Sequence, residues 1–502
     1  MPVFLKQMAL RTSAIFIVKV MGALVRIPLF RLLGAEGVGL YQMAYSFYGL
    51  ILTMITAGFP TALFLMTAKD TRRGKNLVMM MLVCLAVIGG GAGYLSYAFA
   101  PAIALFMGDQ NLTIPIQYIA PALFIVPLLH LVRGYLQGIE SYGFIASSEV
   151  LEQLVRVCTM LGLATTWAIH GKVWAVSGAV FGAFTGAVCA LLFLLIPLRM
   201  SLRVVDGERL RQTISMSLPI FLYSSVAILA TRLIVPVSEF LDALIIPHRL
   251  QDGGMSADQA IAAFGEISGM AVTAVYFPTI ITAAISHTLS AKITEDWKNK
   301  KNKAFVRRSC LALQLAWGLG MVSTLFLFFY AHDVSVLLFG KEEVEYAIRY
   351  LCAIPLLTGL REVTTTILWA QEREREPVKG LLFGSICSVV LAYLLIAIPG
   401  FGYEGTVISM LSLECVSVLW NIGQIKKSHN RIFLFMPALW EACHILVIGI
   451  GCFWILGTIN EMFFNTLPVS FQEIEKMVLF YGGLASYMGL RFVRRNRLTL
   501  FF

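Results

Sequence analysis

The chain of 502 residues is unusually apolar, because 58% of its residues are hydrophobic, 14% are charged and its mean hydropathy is +0.79. Soluble domains carry about 25% charged residues, so the composition excludes a soluble enzyme or binding module and predicts an all-α polytopic membrane protein. The nine cysteines form no CxxC pair or other ligand spacing, which argues against disulfides and metal sites.

Stretches long enough to cross a membrane recur along the whole chain. A membrane-spanning helix needs about 20 mostly apolar residues. The first apolar run lacks a small-residue cleavage site after it and is predicted to be a retained helix. The sequence predicts fourteen spans, near residues 12–33, 41–68, 77–100, 114–136, 148–169, 174–198, 214–237, 263–290, 309–330, 346–370, 380–398, 404–423, 438–458 and 475–491.

The distribution of basic residues tests this count. Loops on the cytoplasmic side of a membrane are enriched in Lys and Arg. With both termini cytoplasmic, the predicted inner segments hold 28 of the 39 Lys and Arg residues, and the predicted outer segments hold three. One missed span would invert every later loop, so this asymmetry favours fourteen spans. Membrane orientation thus accounts for the net charge of +10, and no nucleic-acid partner is predicted.

Two short motifs recur six predicted spans apart. Phe59-Pro-Thr in the second span recurs as Phe277-Pro-Thr in the eighth. Pro-Leu-Leu, with an arginine six residues after the proline, occurs in the fourth span (Arg133) and again in the tenth (Arg361). A common offset for two unrelated motifs favours an internal repeat over chance matching.

The repeat predicts two six-helix lobes in the same orientation. The N-terminal lobe would comprise residues 1–213 and the C-terminal lobe residues 214–423, followed by two additional helices in residues 424–502. Parallel repeats of this kind form transporters whose substrate site lies between the halves. Alternating access would then be a rocking of one half against the other.

The first span carries charged residues at bilayer depth. Lys19 and Arg26 are seven residues apart, so they share one helical face about 10 Å apart along the axis. A cation at this depth is costly unless it faces water, a partner or a substrate. We therefore consider two hypotheses: a charged stripe that faces an anion-attracting cavity, or a structural ion pair with another helix. Gly22 and Pro28 permit close packing and a kink.

Other ionisable residues fall in the fifth and seventh predicted spans. Arg232 lies on the seventh, and Glu239 and Asp242 follow at its outer end. Glu152 and Arg156 form an i,i+4 pair on the fifth, a spacing typical of a self-neutralising structural pair. The chain has no Walker A loop, no Ser/His/Asp arrangement and no HExxH motif, so neither catalysis nor a cofactor is predicted.

Six segments of the chain form a recognisable set of motifs in a fixed order. They are Arg26-Ile-Pro-Leu, Leu33-Gly-Ala-Glu-Gly-Val-Gly-Leu-Tyr-Gln-Met, Gly58-Phe-Pro, Arg133-Gly-Tyr-Leu-Gln-Gly138, Glu152-Gln-x-x-Arg156 and Leu241-Asp-Ala-Leu-Ile-Ile-Pro-His-Arg-Leu250. With these motifs the chain resembles the stage V sporulation protein B group of polysaccharide-biosynthesis membrane proteins. This group is similar to the lipid II flippases and O-antigen-type flippases, in the superfamily of multidrug and toxin extrusion transporters.

The resemblance implies fourteen helices around a central cavity and a function as a flippase. The substrate would be an undecaprenyl-pyrophosphate-linked saccharide, moved across the bacterial plasma membrane. Arg26 matches the first-helix arginine that lipid II flippases use to hold the pyrophosphate. Residues 40–68 contain no Lys or Arg, so the second-helix arginine has no match, and Lys19 and Arg232 are predicted to complete the pyrophosphate site.

Glu239, Asp242, Glu152 and Arg156 are predicted to set the electrostatics of the cavity or to respond to a coupling ion. The expected partners are the lipid-linked saccharide, membrane lipids and cell-wall synthesis proteins. The alternative functions are a cation-coupled multidrug exporter, whose cavity would be dominated by carboxylates and aromatics, and a non-transporting scaffold for cell-wall assembly.

Overall fold

A computed structural model describes residues 3–56, 58–202, 207–428, 435–463 and 469–498, and the regular elements in these ranges are all helical. The chain divides by its packing into two units, residues 1–269 and 270–502. Parts of three predicted loops (203–206, 429–434 and 464–468), together with residue 57 and the ends at 1–2 and 499–502, lie outside the described residues.

The helices of unit 1 are α1 (Val3–Thr56), α2 (Phe59–Lys69), α3 (Thr71–Ala98), α4 (Ala100–Phe106), α5 (Thr113–Ile119), α6 (Ala122–Gly138), α7 (Tyr142–Trp167), α8 (Lys172–Leu202), α9 (Gly207–Arg232), α10 (Ile234–Asp252) and α11 (Ala257–Phe264). A π-helical segment, Gly265–Ala271, follows. The helices of unit 2 are α12 (Val272–Tyr276), α13 (Thr279–Lys298), α14 (Asn302–Phe329), α15 (Ala331–Phe339), α16 (Glu345–Tyr350), α17 (Ile354–Ala370), α18 (Arg375–Leu395), α19 (Gly402–Ser428), α20 (Phe435–Phe463) and α21 (Val469–Leu498).

Every predicted span falls on one or more of these helices. Among the described residues, seven helices are long and apolar enough to cross a membrane, or up to nine if each of two bent helix pairs is one span. One bent pair is α9 and α10, which meet at an angle of 44°. The helical, multi-span fold class is therefore confirmed.

Helix α1 contains the first predicted span and most of the second, and it is broken between them at Gly34. The backbone there has φ 67° and ψ 177°, a conformation that only glycine adopts readily. Pro28 lies inside the helix, and the departure from helical geometry is at Gly34 instead. The break separates a first arm, residues 3–33, from a second arm, residues 35–56.

Helix α6 is the most buried helix of the site region in unit 1. Leu123, Leu129, Val132 and Tyr135 are all fully buried along its length. It packs against α2, α3 and α8. The approach to α2 is so close that a Cβ at Gly134 would lie 2.4 Å from the carbonyl oxygen of Pro60. The side chains of α6 are consequently fixed in position relative to their neighbours.

Unit 2 has its own apolar core between α13, α14, α17 and α19. The core is built from fully or nearly fully buried side chains at Ile293, Phe305, Leu313, Ala316, Ile367, Leu368, Val418 and Ile425. The recurring motifs occupy comparable places in the two units. Phe59 begins α2, which packs on α6, and Phe277 lies two residues before the start of α13, which packs on α17.

The boundary between the packing units does not coincide with the predicted lobe boundary at residue 213. Helices α10 and α11 pack against α1 and therefore belong to unit 1. The contact with α11 is tight, since a Cβ at Gly39 would lie 2.2 Å from the carbonyl oxygen of Ile261. The division into lobes of residues 1–213 and 214–423 stays a prediction.

Replacing Gly39 with alanine is expected to destabilise the protein. The added methyl group would overlap the backbone of α11, and overpacking of this kind costs roughly 1–3 kcal/mol. Gly91→Ala in α3 is the matched control, because nothing lies within 4 Å of its Cβ position. That control is expected to stabilise the helix by about 0.5–1 kcal/mol. Thermal unfolding in detergent measures both variants, and equal melting temperatures for them would contradict the packing described.

Candidate functional site

Unit 1 contains a cavity of about 410 Å³ between α1, α6 and α7. Three cationic side chains line it, those of Lys19, Arg133 and Arg156. Two carboxylates, those of Glu149 and Glu152, line the same cavity. Charged groups of both signs are thus concentrated in one place within a segment of predicted membrane spans.

Helical periodicity brings these residues to one place. On α7, Glu149, Glu152 and Arg156 are at positions i, i+3 and i+7, which share one helical face. On α6, His130 and Arg133 are three residues apart and both line the cavity. The first arm of α1 packs against α7 and supplies Lys19. Three helices therefore converge with their polar faces inward.

Glu152 is held between two arginines. Its side chain is 11% exposed, and Oε2 accepts a hydrogen bond of 2.7 Å from Nη1 of Arg133. Its second oxygen, Oε1, accepts from Nη2 of Arg156, so the predicted i,i+4 ion pair is formed. Nε of Arg133 also donates to the Ser148 hydroxyl at 3.0 Å. These bonds fix both guanidinium groups at the edge of the cavity.

Three polar atoms beside this ion triad have no hydrogen-bond partner among the described residues. They are Nη2 of Arg133, Nε of Arg156 and Oε2 of Glu149, and all three atoms are buried. A buried polar group without a partner costs free energy. Two charged donors and one acceptor beside the cavity are therefore left without hydrogen bonds within the part of the chain that the structure describes.

Three tyrosines form a ladder along the second arm of α1. Tyr41, Tyr45 and Tyr48 occupy positions i, i+4 and i+7 of one helical face. The ring centroids of Tyr41 and Tyr45 are 4.5 Å apart, and those of Tyr45 and Tyr48 are 6.0 Å apart. Tyr45 and Tyr48 line the cavity. Arg156 interacts electrostatically with the hydroxyl groups of all three.

The structure brings three of the predicted site residues to the cavity, and a fourth, Arg232, lies outside its lining. Lys19, Glu152 and Arg156 line it directly. Arg232 donates a hydrogen bond of 3.0 Å to the hydroxyl of Thr61, and its positive charge acts on His130 in the cavity wall. The positive charge of Arg232 therefore contributes to the potential in the cavity.

The other three predicted residues lie outside the residues that line the cavity. Arg26 acts electrostatically on Tyr41, the end of the tyrosine ladder, and on the carboxylate of Glu239. Glu239 in turn acts on Asp242, three residues further along α10. The two carboxylates and Arg26 thus form a second charged group in unit 1, connected to the cavity through Tyr41.

Arg133, Glu149 and the tyrosines were not identified as site residues from the sequence. Arg133 falls near the end of the fourth predicted span, and the structure places it inside α6 with its side chain 13% exposed. The spacing of the tyrosines was a usable signal, because it places three hydroxyl groups on one face. Their relation to the arginines depends on the packing of three helices.

Unit 2 contains a second buried ion pair that involves the repeated arginine. Nε of Arg361 donates to Oε2 of Glu414 at 2.6 Å, and Nη2 donates to Oε1 at 3.2 Å. The hydroxyl of Tyr276 donates to the same Oε1 at 3.1 Å. Glu414 is 3% exposed, and both of its oxygens are occupied. This arrangement joins α17, α19 and α12.

A multi-span helical fold with a charged cavity is typical of membrane transporters. The family model described as "Polysaccharide biosynthesis protein" matches residues 4–248. Stage V sporulation protein B of Bacillus subtilis (strain 168) is 25% identical over 433 residues, which cover 84% of this chain and 84% of that protein. Lipid II flippase MurJ of the same organism is 25% identical over 448 residues, which cover 83% of this chain and 81% of that protein.

Two solved structures have a similar fold. The lipid II flippase MurJ in an inward closed conformation has a TM-score of 0.69 at 13% identity, with 97% of this chain and 100% of that chain covered. An inward-facing multidrug resistance MATE family transporter has a TM-score of 0.63 at 15% identity, with 84% and 98% covered. The predicted resemblance is confirmed, and the chain is a multi-pass protein of the bacterial plasma membrane.

Replacing Glu152 with glutamine is expected to destabilise the fold strongly. The variant leaves two buried arginines without their counter-charge, and removing one partner of a buried ion pair costs roughly 3–5 kcal/mol. Glu295→Gln, at an exposed position of α13, is the matched control and should change stability by less than about 0.5 kcal/mol. Thermal unfolding of the purified variants provides the measurement. A native-like melting temperature for Glu152→Gln would show that the triad is not a stabilising element.

Proposed function

We propose that this protein is a flippase for an undecaprenyl-pyrophosphate-linked saccharide, a precursor of peptidoglycan or another polysaccharide. The chain would cross the plasma membrane fourteen times with both termini in the cytoplasm. It would work by alternating access. The relatives support this class, since one of them is named a lipid II flippase and the matching family model is described by polysaccharide biosynthesis.

The observation that carries the proposal is the pair of unsatisfied guanidinium donors at the cavity. A pyrophosphate presents several anionic oxygen atoms that accept hydrogen bonds. Nη2 of Arg133 and Nε of Arg156 are buried charged donors without a partner among the described residues. Hydrogen bonds between ionised groups are shorter and stronger than neutral ones. The low dielectric of a cavity between apolar helices strengthens their attraction further.

The predicted residues take distinct roles in this proposal. Lys19 and Arg156 contact the pyrophosphate together with Arg133, which the cavity geometry adds to the predicted set. Arg26 and Arg232 extend the positive potential around the cavity.

The carboxylates are assigned separate roles. Glu152 orients the two arginines. Glu239 and Asp242 stabilise the protein in the absence of substrate or respond to a coupling ion. Membrane lipids surround the polyprenyl tail, and cell-wall synthesis proteins are the expected partners.

The cavity chemistry bears on the two alternatives. A cation-coupled multidrug exporter would have a cavity dominated by carboxylates and aromatics. The cavity instead has three permanent cations, Lys19, Arg133 and Arg156, and only two carboxylates, one of which is paired with both arginines. A non-transporting scaffold would not require charged donors in the interior of unit 1. The fold itself does not distinguish a flippase from an exporter, because solved structures of both kinds have a similar fold.

Lys19→Gln is expected to slow translocation about tenfold or more at unchanged stability. Lys19 lines the cavity and removing its charge leaves the ion pairs of Glu152 in place. One hydrogen bond to a charged group contributes about 1.5–3 kcal/mol, and 1.4 kcal/mol corresponds to a factor of about ten. The measurement is transfer of a fluorescent undecaprenyl-pyrophosphate saccharide between leaflets of proteoliposomes. Lys303→Gln, an exposed change in the first turn of α14, is the matched control.

The outcomes separate the functions. Native translocation that is lost in Lys19→Gln and restored in Lys19→Arg supports the pyrophosphate site. Native translocation that Lys19→Gln and Arg26→Ala both leave unchanged would reject the site assignment. Absence of native translocation, together with efflux of cationic dyes, would replace the flippase with the exporter.

A further inference from the structure

We infer that the cavity contains a saccharide subsite, formed by Tyr45, Tyr48 and Glu149 beside the arginines. It would hold the sugar that is bonded directly to the pyrophosphate. This inference rests on the proposed function and deepens it, since it assigns the recognition of the sugar to specific residues. Three independent features of the cavity support it: an unsatisfied acceptor, an aromatic surface and the available volume.

The unsatisfied acceptor is Oε2 of Glu149, which is buried and has no hydrogen-bond partner among the described residues. A pyrophosphate offers only acceptor oxygens and would be repelled by this carboxylate. A sugar hydroxyl, in contrast, donates a hydrogen bond to a carboxylate oxygen. A ligand that satisfies both Glu149 and the arginines must therefore carry anionic oxygens and hydroxyl donors close together. A sugar attached to a phosphate has both groups.

The aromatic surface is the tyrosine ladder of α1. One face of a pyranose ring consists largely of C–H groups, and such a face packs well against an aromatic ring. Tyr45 lies between two other rings, 4.5 Å from Tyr41 and 6.0 Å from Tyr48 by their centroids. Both flanking tyrosines are buried, which leaves Tyr45 as the most accessible of the three. Its neighbours restrict the ring, so little entropy is lost when a sugar binds.

The volume and the polar groups also fit one sugar with its phosphates. Small-ligand sites occupy about 300–1,000 Å³, and the cavity has about 410 Å³. The amide of Gln153 lines the same wall and supplies further hydrogen-bonding capacity. Arg156 acts electrostatically on the hydroxyl groups of Tyr45 and Tyr48, so the aromatic surface and the anion site are adjacent.

The test compares two ligands on the purified full-length protein in detergent. One ligand is undecaprenyl pyrophosphate, and the other is the same lipid carrying a single hexose or N-acetylhexosamine. Tyr45→Leu and Glu149→Met are each expected to weaken binding of the sugar-bearing lipid about tenfold. Both variants should bind the sugar-free lipid within about twofold of the native protein. Lys19→Gln should weaken binding of both ligands, and Tyr45→Phe, which keeps the ring, should bind like the native protein.

The results distinguish failure of the subsite from failure of the function. A native protein that binds the sugar-bearing and sugar-free lipids equally overturns the subsite and leaves the flippase proposal standing. The same conclusion follows if Tyr45→Leu and Glu149→Met weaken both ligands to the same extent or change neither. A native protein that binds neither lipid overturns the proposed function and the subsite with it. Melting temperatures confirm that each variant is folded, and Glu149→Met tests the subsite independently if Tyr45→Leu is unstable.

Discussion

The charged site of unit 1 depends on one buried carboxylate placed between two arginines. Glu152 offsets part of the cost of burying Arg133 and Arg156, and its two oxygens determine which way both guanidinium groups face. A buried ion pair contributes little net stability compared with a well-packed apolar pair, yet its disruption is costly. The main effect of the ion triad is therefore to orient the two guanidinium groups, and it adds little net stability to the fold. It holds positive charge within a helical bundle and leaves one buried donor of each arginine without a hydrogen bond among the described residues.

The repeated arginine has different surroundings in the two units. In unit 1, Arg133 shares its carboxylate with Arg156 and retains an unsatisfied donor. In unit 2, Arg361 forms two hydrogen bonds with Glu414, whose remaining capacity is used by Tyr276. The same residue, six positions after the same proline, thus lines a cavity in one unit and forms a bidentate pair with a buried carboxylate in the other. The two sites differ in their ratio of charges: one carboxylate is shared by two arginines in unit 1, whereas one carboxylate pairs with one arginine in unit 2.

Features that depend on a single helix, such as membrane spans and ion pairs one helical turn apart, could be predicted from the spacing of residues along the sequence. The spans follow from apolar length, and the Glu152–Arg156 pair follows from i,i+4 spacing, which needs no tertiary information. The role of Arg133 was missed because it requires a partner nineteen residues away on another helix. Pro28 permits a kink in the first span, but the break in α1 occurs at Gly34, between the first two predicted spans, because glycine adopts a positive φ readily. The tyrosine ladder was visible as spacing, but its relation to the arginines was set by packing.

The saturation of Glu414 has a consequence for how the protein behaves in a cell. A buried carboxylate whose two oxygens are both engaged contributes to transport through the folded population of the protein. Substitutions at Arg361 or Glu414 therefore act through quality control: the chain unfolds more often, proteases remove it and its abundance falls. Chaperone capacity or a lower growth temperature can compensate for such a defect. Substitution of Lys19, which lines the cavity of unit 1 and takes no part in the ion pairs of Glu152, leaves the abundance of the protein intact, and no change in proteostasis restores what it removes.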